Sequence, residues 1–453
     1  MNKLLIAASQ AILIYAATTE SATGQTIIEN DKQAFFITGY TRTGFGYSKD
    51  GATQAHFQTP GALNKYSLAN QADTYTELAF NYSLALNKES TKSLDIIWMA
   101  SMYEDFGTRG NMSFNFTEQL FARANNLFGR GETIWVGKRH YDRQYIYMLD
   151  RFWLNPGQRG WGGGVENLIN KEGSDEDLKI AAWQLKDEDV TSYINQSSGN
   201  LATYSVDLRW VNRAITEKAK LNLALNYSYR AKNEELEYDA KSGFGAFAWL
   251  EYKNKSISNT AALLLRQGAN ISTSHYSGIS ERENPANDNL VLNDLSKAYS
   301  IELNNEFLYD DLDRFAINAI FVFVARNYGT TPYTLDAGEP TYLLDRGNIC
   351  YWVTAGARAA YYVSTFFRPT IEYSYEYIDN RQMGLRGTLN RVTFTPEFAL
   401  KKGYLSRPVL RPFATYAFWS DELKGNIGVA PQGSPYANDT AGFTYGLQFE
   451  VWW

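Results

Sequence analysis

The chain has few of the residues that build metal, disulfide or nucleic-acid-binding sites. Its 453 residues include one cysteine, Cys350, and three histidines far apart in the sequence, His56, His140 and His275. A single cysteine excludes an intrachain disulfide and a thiolate metal site, and the histidines lack ligand spacing. The net charge is −6, so there is no basic excess of the kind that nucleic acid requires. We therefore predict no metal, no cofactor and no nucleic-acid partner.

Long hydrophobic runs are also missing. The longest, residues 4–17, spans about 14 residues, whereas a membrane-spanning helix needs about 20. It follows a short basic start and precedes small residues, an order typical of an export signal. We expect residues 1–24 to be a signal peptide, cleaved before Gln25 or a few residues earlier, and residues 25–453 to form a single domain.

Aromatic residues are abundant, and many of them fall in segments with alternating apolar and polar side chains. Tyrosine occurs 32 times, against 11 prolines, which is unlike a soluble α/β enzyme. In segments of about 10 residues, large apolar side chains alternate with small polar ones, the period expected of β-strands. The clearest alternating segments are residues 74–87, 201–210, 221–230, 371–377, 391–400 and 443–453.

This alternation fits two folds, a transmembrane β-barrel and a soluble β-sandwich. Roughly 16 to 20 such segments can be counted, and tyrosine or tryptophan clusters at their ends as in an interfacial girdle. An exported chain without helical spans can enter a lipid bilayer only as a closed barrel. We predict an all-β, antiparallel transmembrane barrel. Its long polar loops are expected at residues 268–296, 327–348 and 424–442, and short turns, such as residues 310–311 and 379–381, join other strands.

One stretch, residues 133–155, does not follow the alternation. It opens as a strand, and then cations, carboxylates and rings follow in dense succession. The run is too polar for a core and too aromatic for an ordinary solvated loop. It suits the inside of a pore, where water and a flat polar solute meet. The alternative is a surface strand with a charged turn.

The chain resembles the maltoporin family at both ends and in the middle, in the same order. Between residues 174 and 348 only the alternation matches. The resemblance implies a homotrimeric, 18-stranded sugar channel in the outer membrane of a Gram-negative bacterium, with one loop folded into the pore. The segments that carry the resemblance are residues 36–47, 57–70, 74–78, 133–143, 162–167, 406–416 and 443–453.

The resemblance also implies a row of aromatic side chains that guides the apolar faces of sugar rings. Tyr40, Tyr75 and Trp452 match members of this row, and Phe152 takes the place of the tyrosine that narrows the channel. Alternation independently puts Trp452 on the polar, lumenal face and Trp453 on the lipid face. The alternative role for Trp452 is an interfacial anchor.

Charged side chains beside the row exchange hydrogen bonds with sugar hydroxyls in that family. Arg42, Glu77, Arg143 and Asp150 match this track, and alternation places Arg42 on the face of Tyr40. The alternative for Arg143 and Asp150 is that they pair with other charges and only hold the loop against the wall.

Several positions depart from the family pattern. A track arginine is Ser67, a constriction carboxylate is Tyr145, and a row tryptophan is Leu405. The neighbouring Tyr404 is not expected to replace it, because adjacent strand residues face opposite ways. These departures leave the preferred sugar open among maltose, malto-oligosaccharides and related oligosaccharides.

We predict a channel for passive diffusion of sugars, with a non-specific diffusion porin as the alternative. No catalytic site is predicted. The glycine-rich run at residues 160–164 lacks the lysine and helix of a phosphate-binding loop. Nothing in the sequence fixes Asp142 and Asp150 as an acid–base pair.

Overall fold

The structure is a computed structural model, and the predicted signal peptide, residues 1–24, lies outside its described part. Within the described residues, side chains are described except at Gln25 and in residues 186–201, 272–295 and 328–348. The described residues are 25–30, 32–106, 112–154, 160–169, 174–191, 198–234, 239–273, 282–283, 291–292, 296–327, 333–336, 339–342, 349–381, 383–430 and 433–453.

Eighteen antiparallel strands form a closed barrel, as predicted. Each strand pairs with its neighbours in sequence, the simplest way to satisfy backbone hydrogen bonds in lipid. The barrel strands are β1 Gln33–Tyr47, β2 Asp73–Ala85, β3 Ser93–Asp105, β4 Met112–Asn125, β5 Thr133–Lys138, β6 Trp161–Glu166, β7 Asp177–Thr191, β8 Ser198–Thr216, β9 Ala219–Arg230, β10 Lys241–Asn254, β11 Ile257–Gly268, β12 Tyr299–Asp310, β13 Phe315–Asn327, β14 Ile349–Tyr361, β15 Phe367–Asn380, β16 Leu385–Ala399, β17 Val409–Trp419 and β18 Ala441–Trp452.

The barrel closes where β18 pairs with β1. Tyr40 lies opposite Trp452 in this register, and the backbone groups of Gly39 and Trp453 bond to each other. Beyond the end of β18, the short strand Gln25–Glu29 continues the pairing with β1. The two ends of the described chain therefore complete one wall of the barrel.

The two faces of the wall differ as the alternation predicts. In β8, Tyr204 and Val206 are 47% and 43% exposed on the outer face, whereas Ser205 and Asp207 are 2% and 0% exposed on the inner face. The same alternation runs through β9 and β18. Because successive side chains of a strand point to opposite faces, the apolar set faces lipid and the polar set faces the lumen.

The predicted long loops join strands at one end of the barrel, and the turn at residues 311–314 lies at the other. The short turn after Asn380 is at the end of the long loops, because β15 runs toward that end. There it meets a first loop, residues 48–72, that folds into the barrel: a Cβ on Gly61 would lie 2.4 Å from Nδ2 of Asn380. The sequence did not predict that the first loop folds into the barrel.

The second segment inside the barrel, residues 139–154, is called the inward loop here. Its described part contains a hairpin of Gln144–Ile146 and Arg151–Leu154 around a 3-10 turn, Tyr147–Leu149. Its apolar side chains, which include Trp153, pack on inward-facing apolar residues of the wall. These wall residues are Phe247, Trp249, Leu264, Ile320 and Val322.

This packing occupies the lumen beside β10, β11 and β13. The first loop packs on the wall formed by β14–β17, where Tyr66 bonds to Thr354 and the ring of Phe57 lies 6.0 Å from that of Trp419. The lumenal faces of β18, β1 and β2 are called the free wall here. The few other short elements are strand pairs and helices of three or four residues. They are the pairs Arg282–Glu283 with Val291–Leu292 and Tyr333–Asp336 with Glu339–Tyr342, the 3-10 turns Lys49–Gly51 and Asp421–Leu423, and the α-helix Asn270–Thr273. Among the described residues, no helix is long and apolar enough to cross a membrane.

Candidate functional site

The inward loop is fixed at its start by a buried group of charges. Nζ of Lys179 lies 2.7 Å from Oδ2 of Asp142, and Nη1 of Arg209 donates to the backbone oxygen of Asp142 at 3.0 Å. Burial alone would raise the pKa of Asp142, but Lys179, Arg209 and Arg139 outweigh it and lower that pKa to about 2. Tyr141 fills the space beneath, 5.2 Å from the ring of Trp183.

A second anchor holds the far side of the inward loop. Nη2 of Arg151 donates to Glu302 at 2.5 Å, and Arg266 donates both to Glu302 at 2.6 Å and to the backbone oxygen of Trp153 at 3.0 Å. The ring of Trp153 lies 5.9 Å from that of Trp249. The loop therefore spans the lumen between two walls, and its tip is positioned opposite β18.

Three of the four predicted aromatic residues form one row on the free wall. The ring of Tyr40 lies 6.2 Å from that of Tyr75 and 6.4 Å from that of Trp452, with an interplanar angle of 25° to the latter. The three residues come together because β2, β1 and β18 are adjacent strands and each contributes one lumenal ring. Tyr40 lies directly opposite Trp452, and Tyr75 lies opposite Arg42, two residues along β1.

The fourth predicted ring, Phe152, belongs to the inward loop. It lies 4.7 Å from the ring of Tyr145, and the guanidinium carbon of Arg143 is 4.1 Å from its centroid. Phe152 is thus part of a stack within the hairpin. Its partner Tyr145 occupies the position where the family pattern has a carboxylate.

The predicted charges link the inward loop to the aromatic row. Nε of Arg42 donates to Asp73 at 2.8 Å and Nη1 donates to Asp150 at 2.9 Å, while the guanidinium lies 5.1 Å from the ring of Tyr75. Asp150 also accepts a hydrogen bond from Gln71 at 2.9 Å. Arg42 therefore lies on the row and also holds the loop.

Glu77, opposite Tyr40 in the pairing of β1 with β2, is the predicted carboxylate of the row. The hydroxyl of Tyr75 donates to Glu77 at 2.6 Å, and Arg143 is close enough to interact electrostatically with that carboxylate. Both Glu77 and Arg143 are buried, at 4% and 8% exposure. The eight predicted residues therefore lie on two facing surfaces, the free wall and the inward loop.

Sequence reasoning missed a ladder of buried ion pairs on the wall from β14 to β18. Glu450 is bonded by Arg407 at 2.7 Å and by Arg411 at 2.5 Å. Arg411 and Arg368 share Glu397, at 2.7 and 2.6 Å. The sequence did contain a signal for Glu450, because alternation places it on the same lumenal face of β18 as Trp452. A second group, beside the first, consists of Arg358, Glu372 and Arg391.

Tyr404 also enters the site. It lies in the turn of residues 400–408 and not in a strand, so the rule that neighbours face opposite ways does not apply. Its buried ring is 6.0 Å from Tyr147 of the inward loop. Leu405, the position of a family tryptophan, packs beside it in a cluster under Tyr147.

The two surfaces enclose a narrow cleft with a volume of about 20 Å³, close to the roughly 10–15 Å³ that one water molecule needs. Within the described residues, no group of His, Cys, Asp and Glu side chains could hold a metal ion. The cleft offers hydroxyls, guanidiniums and carboxylates beside flat rings. The side chains that line it include Tyr40, Tyr145, Tyr147, Asp150, Arg358, Arg411 and Glu450.

The chain also matches solved structures of bacterial porins and an outer-membrane protein at low sequence identity. Salmonella typhi OmpF, solved in complex with daunomycin, is 13% identical over 94% of this chain and 99% of its own, with a TM-score of 0.45. Vibrio cholerae OmpT is 10% identical over 93% of this chain and 100% of its own, with a TM-score of 0.42. An anion-selective porin from Comamonas acidovorans is 10% identical over the same shares, with a TM-score of 0.41.

The family model described as LamB porin matches residues 35–453, which is nearly the whole described chain. This match covers both the aromatic row and the inward loop, and it agrees with the 18-stranded barrel. Family and fold together point to an outer-membrane channel and not to an enzyme. The chain belongs to the LamB porin family.

Proposed function

We propose that this porin is a sugar-selective channel that lets sugars cross the outer membrane by passive diffusion. The observation that carries the proposal is the continuous row of Tyr75, Tyr40 and Trp452 on a wall that also holds Arg42 and Glu450. A pore that only sieved ions and small solutes would need charges in its constriction but no such row.

The row suits the chemistry of a pyranose. One face of the sugar ring is lined with C–H groups and packs on flat aromatic rings, while its edge of hydroxyls bonds well to charged partners. A sugar that moves along the row keeps both contacts as it passes from ring to ring. Binding at each position must stay weak, since the sugar has to leave again.

The residues take two roles in this proposal. Aromatic side chains support the apolar face of the sugar, and charged side chains exchange hydrogen bonds with its hydroxyls and with ions. The proposed aromatic set is Tyr40, Tyr75, Phe152 and Trp452, and the proposed charged set is Arg42, Glu77, Arg143 and Asp150. Maltose, malto-oligosaccharides or related oligosaccharides are the proposed substrates.

The proposed assembly in the bilayer is a homotrimer, as the likeness to maltoporins implies. A band of rings on the outer face of β2–β4 is consistent with contact to another subunit. Trp98 lies 5.1 Å from Phe80 and 4.8 Å from Phe116, and Phe114 follows at 6.1 Å from Phe116. Phe114 and Phe116 are 60% and 62% exposed, so both rings are available for packing against another subunit.

The competing function is a general diffusion porin. A conductance experiment separates the two: single channels in planar bilayers are titrated with maltose, maltotriose, sucrose and the non-sugar osmolyte glycine betaine. The expected result is saturable block of the ion current by one sugar class, weakened in Trp452→Ala and Arg143→Ala. Trp210→Ala, on the outer face, is the matched control and should leave the block unchanged. A current that no sugar reduces would refute selectivity and support the general porin.

A further inference from the structure

The tip of the inward loop touches the aromatic row through one carboxylate. The hydroxyl of Tyr147 donates to Glu450, 3.2 Å from Oε2 and 3.5 Å from Oε1. From the wall side, the hydroxyl of Tyr40 donates to Oε1 of the same Glu450 at 3.2 Å. Two tyrosines from facing surfaces of the cleft therefore meet on one acceptor, and Tyr147 closes the cleft at this level.

The ring of Tyr147 is held in place by its neighbours. The guanidinium carbons of Arg358 and Arg407 lie 5.5 and 5.4 Å from its centroid. The rings of Tyr145 and Tyr404 lie 6.2 and 6.0 Å away, both edge-on. These contacts aim the hydroxyl at Glu450. Phe152, by comparison, has no hydroxyl and stacks inside the hairpin.

Glu450 already receives as many donors as an ionised carboxylate has lone-pair sites, about four. Arg407 and Arg411 bond to Oε2, Tyr40 bonds to Oε1, and the Tyr147 hydroxyl lies 3.2 Å from Oε2 and 3.5 Å from Oε1. A sugar hydroxyl that reaches Glu450 therefore competes with these donors. The two arginine bonds are charge-assisted and strong, and Tyr40 belongs to the wall that carries the sugar. Tyr147, on a loop, is the donor that can be displaced.

We infer that Tyr147 is a specificity-determining residue of the channel, and that its hydroxyl occupies on Glu450 the place of a sugar hydroxyl. A solute seated on Tyr40 and Trp452 passes by exchanging its own hydroxyl for that of Tyr147. The ligand must therefore offer a hydrogen-bond donor to a carboxylate at the edge of its ring, as neutral sugars do. This inference rests on the proposed sugar-channel function and adds a residue that the family pattern did not indicate.

The test uses the full-length protein in planar bilayers with maltose, maltotriose and sucrose as probes, and the sugar that blocks the wild-type channel best is titrated. Tyr147→Phe keeps the ring and removes the competing donor. Its sugar binding constant should rise roughly tenfold, as expected for a hydrogen bond to a charged group. Tyr373→Phe is the matched control, because that hydroxyl lies on the outer face of β15, where it donates to Asn390 at 2.8 Å. Its binding constant should stay at the wild-type value.

A second variant tests the position of the ring. Tyr147→Ala should raise the single-channel ion conductance about twofold or more, since the ring stands in a cleft of about 20 Å³. If Tyr147→Phe binds sugar no more tightly than wild type, or more weakly, the inference is overturned while the sugar channel stands. A wild-type current that none of the three sugars reduces overturns both. Unchanged conductance in Tyr147→Ala also overturns the inference.

Discussion

Replacing Trp153 by alanine should release the inward loop from the far wall while leaving the barrel intact. Trp153 is 3% exposed and packs edge-on against Trp249. Removing a large aromatic side chain from a packed interior costs about 3–5 kcal/mol. The barrel strands pair only with one another, so this cost falls on docking of the loop and not on closure of the barrel.

The size of the expected effect follows from that cost. A loss of about 3–5 kcal/mol lowers the ratio of docked to undocked loop by roughly two to four orders of magnitude. Arg151 keeps its bond to Glu302, and the backbone oxygen of residue 153 can still accept from Arg266, so the loop stays tethered and samples undocked positions. The narrow cleft beside the aromatic row depends on this loop, and the channel should become wider and less steady.

Single-channel recording measures both properties. Trp153→Ala should show a larger mean open-channel current and stronger current noise than wild type, together with weaker sugar block. Heat-modified mobility in gels should show the same barrel melting temperature as wild type. Trp210→Ala serves as the control, because that tryptophan faces outward at 37% exposure. An open-channel current with wild-type size and noise would refute the reasoning that this contact positions the loop.

Two further predictions concern the start of the inward loop. Lys179→Met leaves the buried carboxylate of Asp142 without its closest cation. This should destabilise loop docking by roughly 3 kcal/mol and speed proteolysis within the loop. Lys220→Met, at an exposed ion pair, should not change the cleavage rate, and equal rates in the two variants would contradict the prediction. Burial and the charge of Arg143 lower the pKa of His140 to about 4, against the smaller opposing effect of Glu118. The undocked loop, with an ordinary pKa of 6.5, then binds more protons below that pH, so docking weakens by up to about 3 kcal/mol as the pH falls from 6.5 to 4. Current noise should increase over this range and the increase should shrink in His140→Gln; a pH-independent wild-type trace would contradict the account.

Much of the barrel could be predicted because strand alternation has a fixed period. A period of two assigns each side chain to lipid or lumen without knowledge of its neighbours, and Tyr40, Glu77 and Trp452 lie on the faces that this rule gave. The resemblance added the number of strands and the existence of the inward loop. Both were confirmed, the first by the closed barrel and the family match.

The rule gave no answer where the chain leaves the strands. Tyr404 was set aside because it neighbours Leu405, yet both lie in a turn and Tyr404 reaches Tyr147. The first loop was not expected inside the barrel, although Tyr66 is completely buried there and bonds to Thr354 at 2.7 Å. Apolar lumenal residues such as Leu264 likewise had no partner until the inward loop was placed.

The sequence by itself determined which side chains face the lumen, because that depends only on local backbone geometry. The tertiary structure alone decided which of them meet. Arg42 and Asp150 are 108 residues apart, and Tyr147 and Glu450 are 303 residues apart. Such pairs depend on the path of a loop across the lumen, and that path is set by burial of Trp153 and the charges of Asp142 and Arg151 against distant strands. No local pattern encodes these contacts, since each needs the barrel to close first.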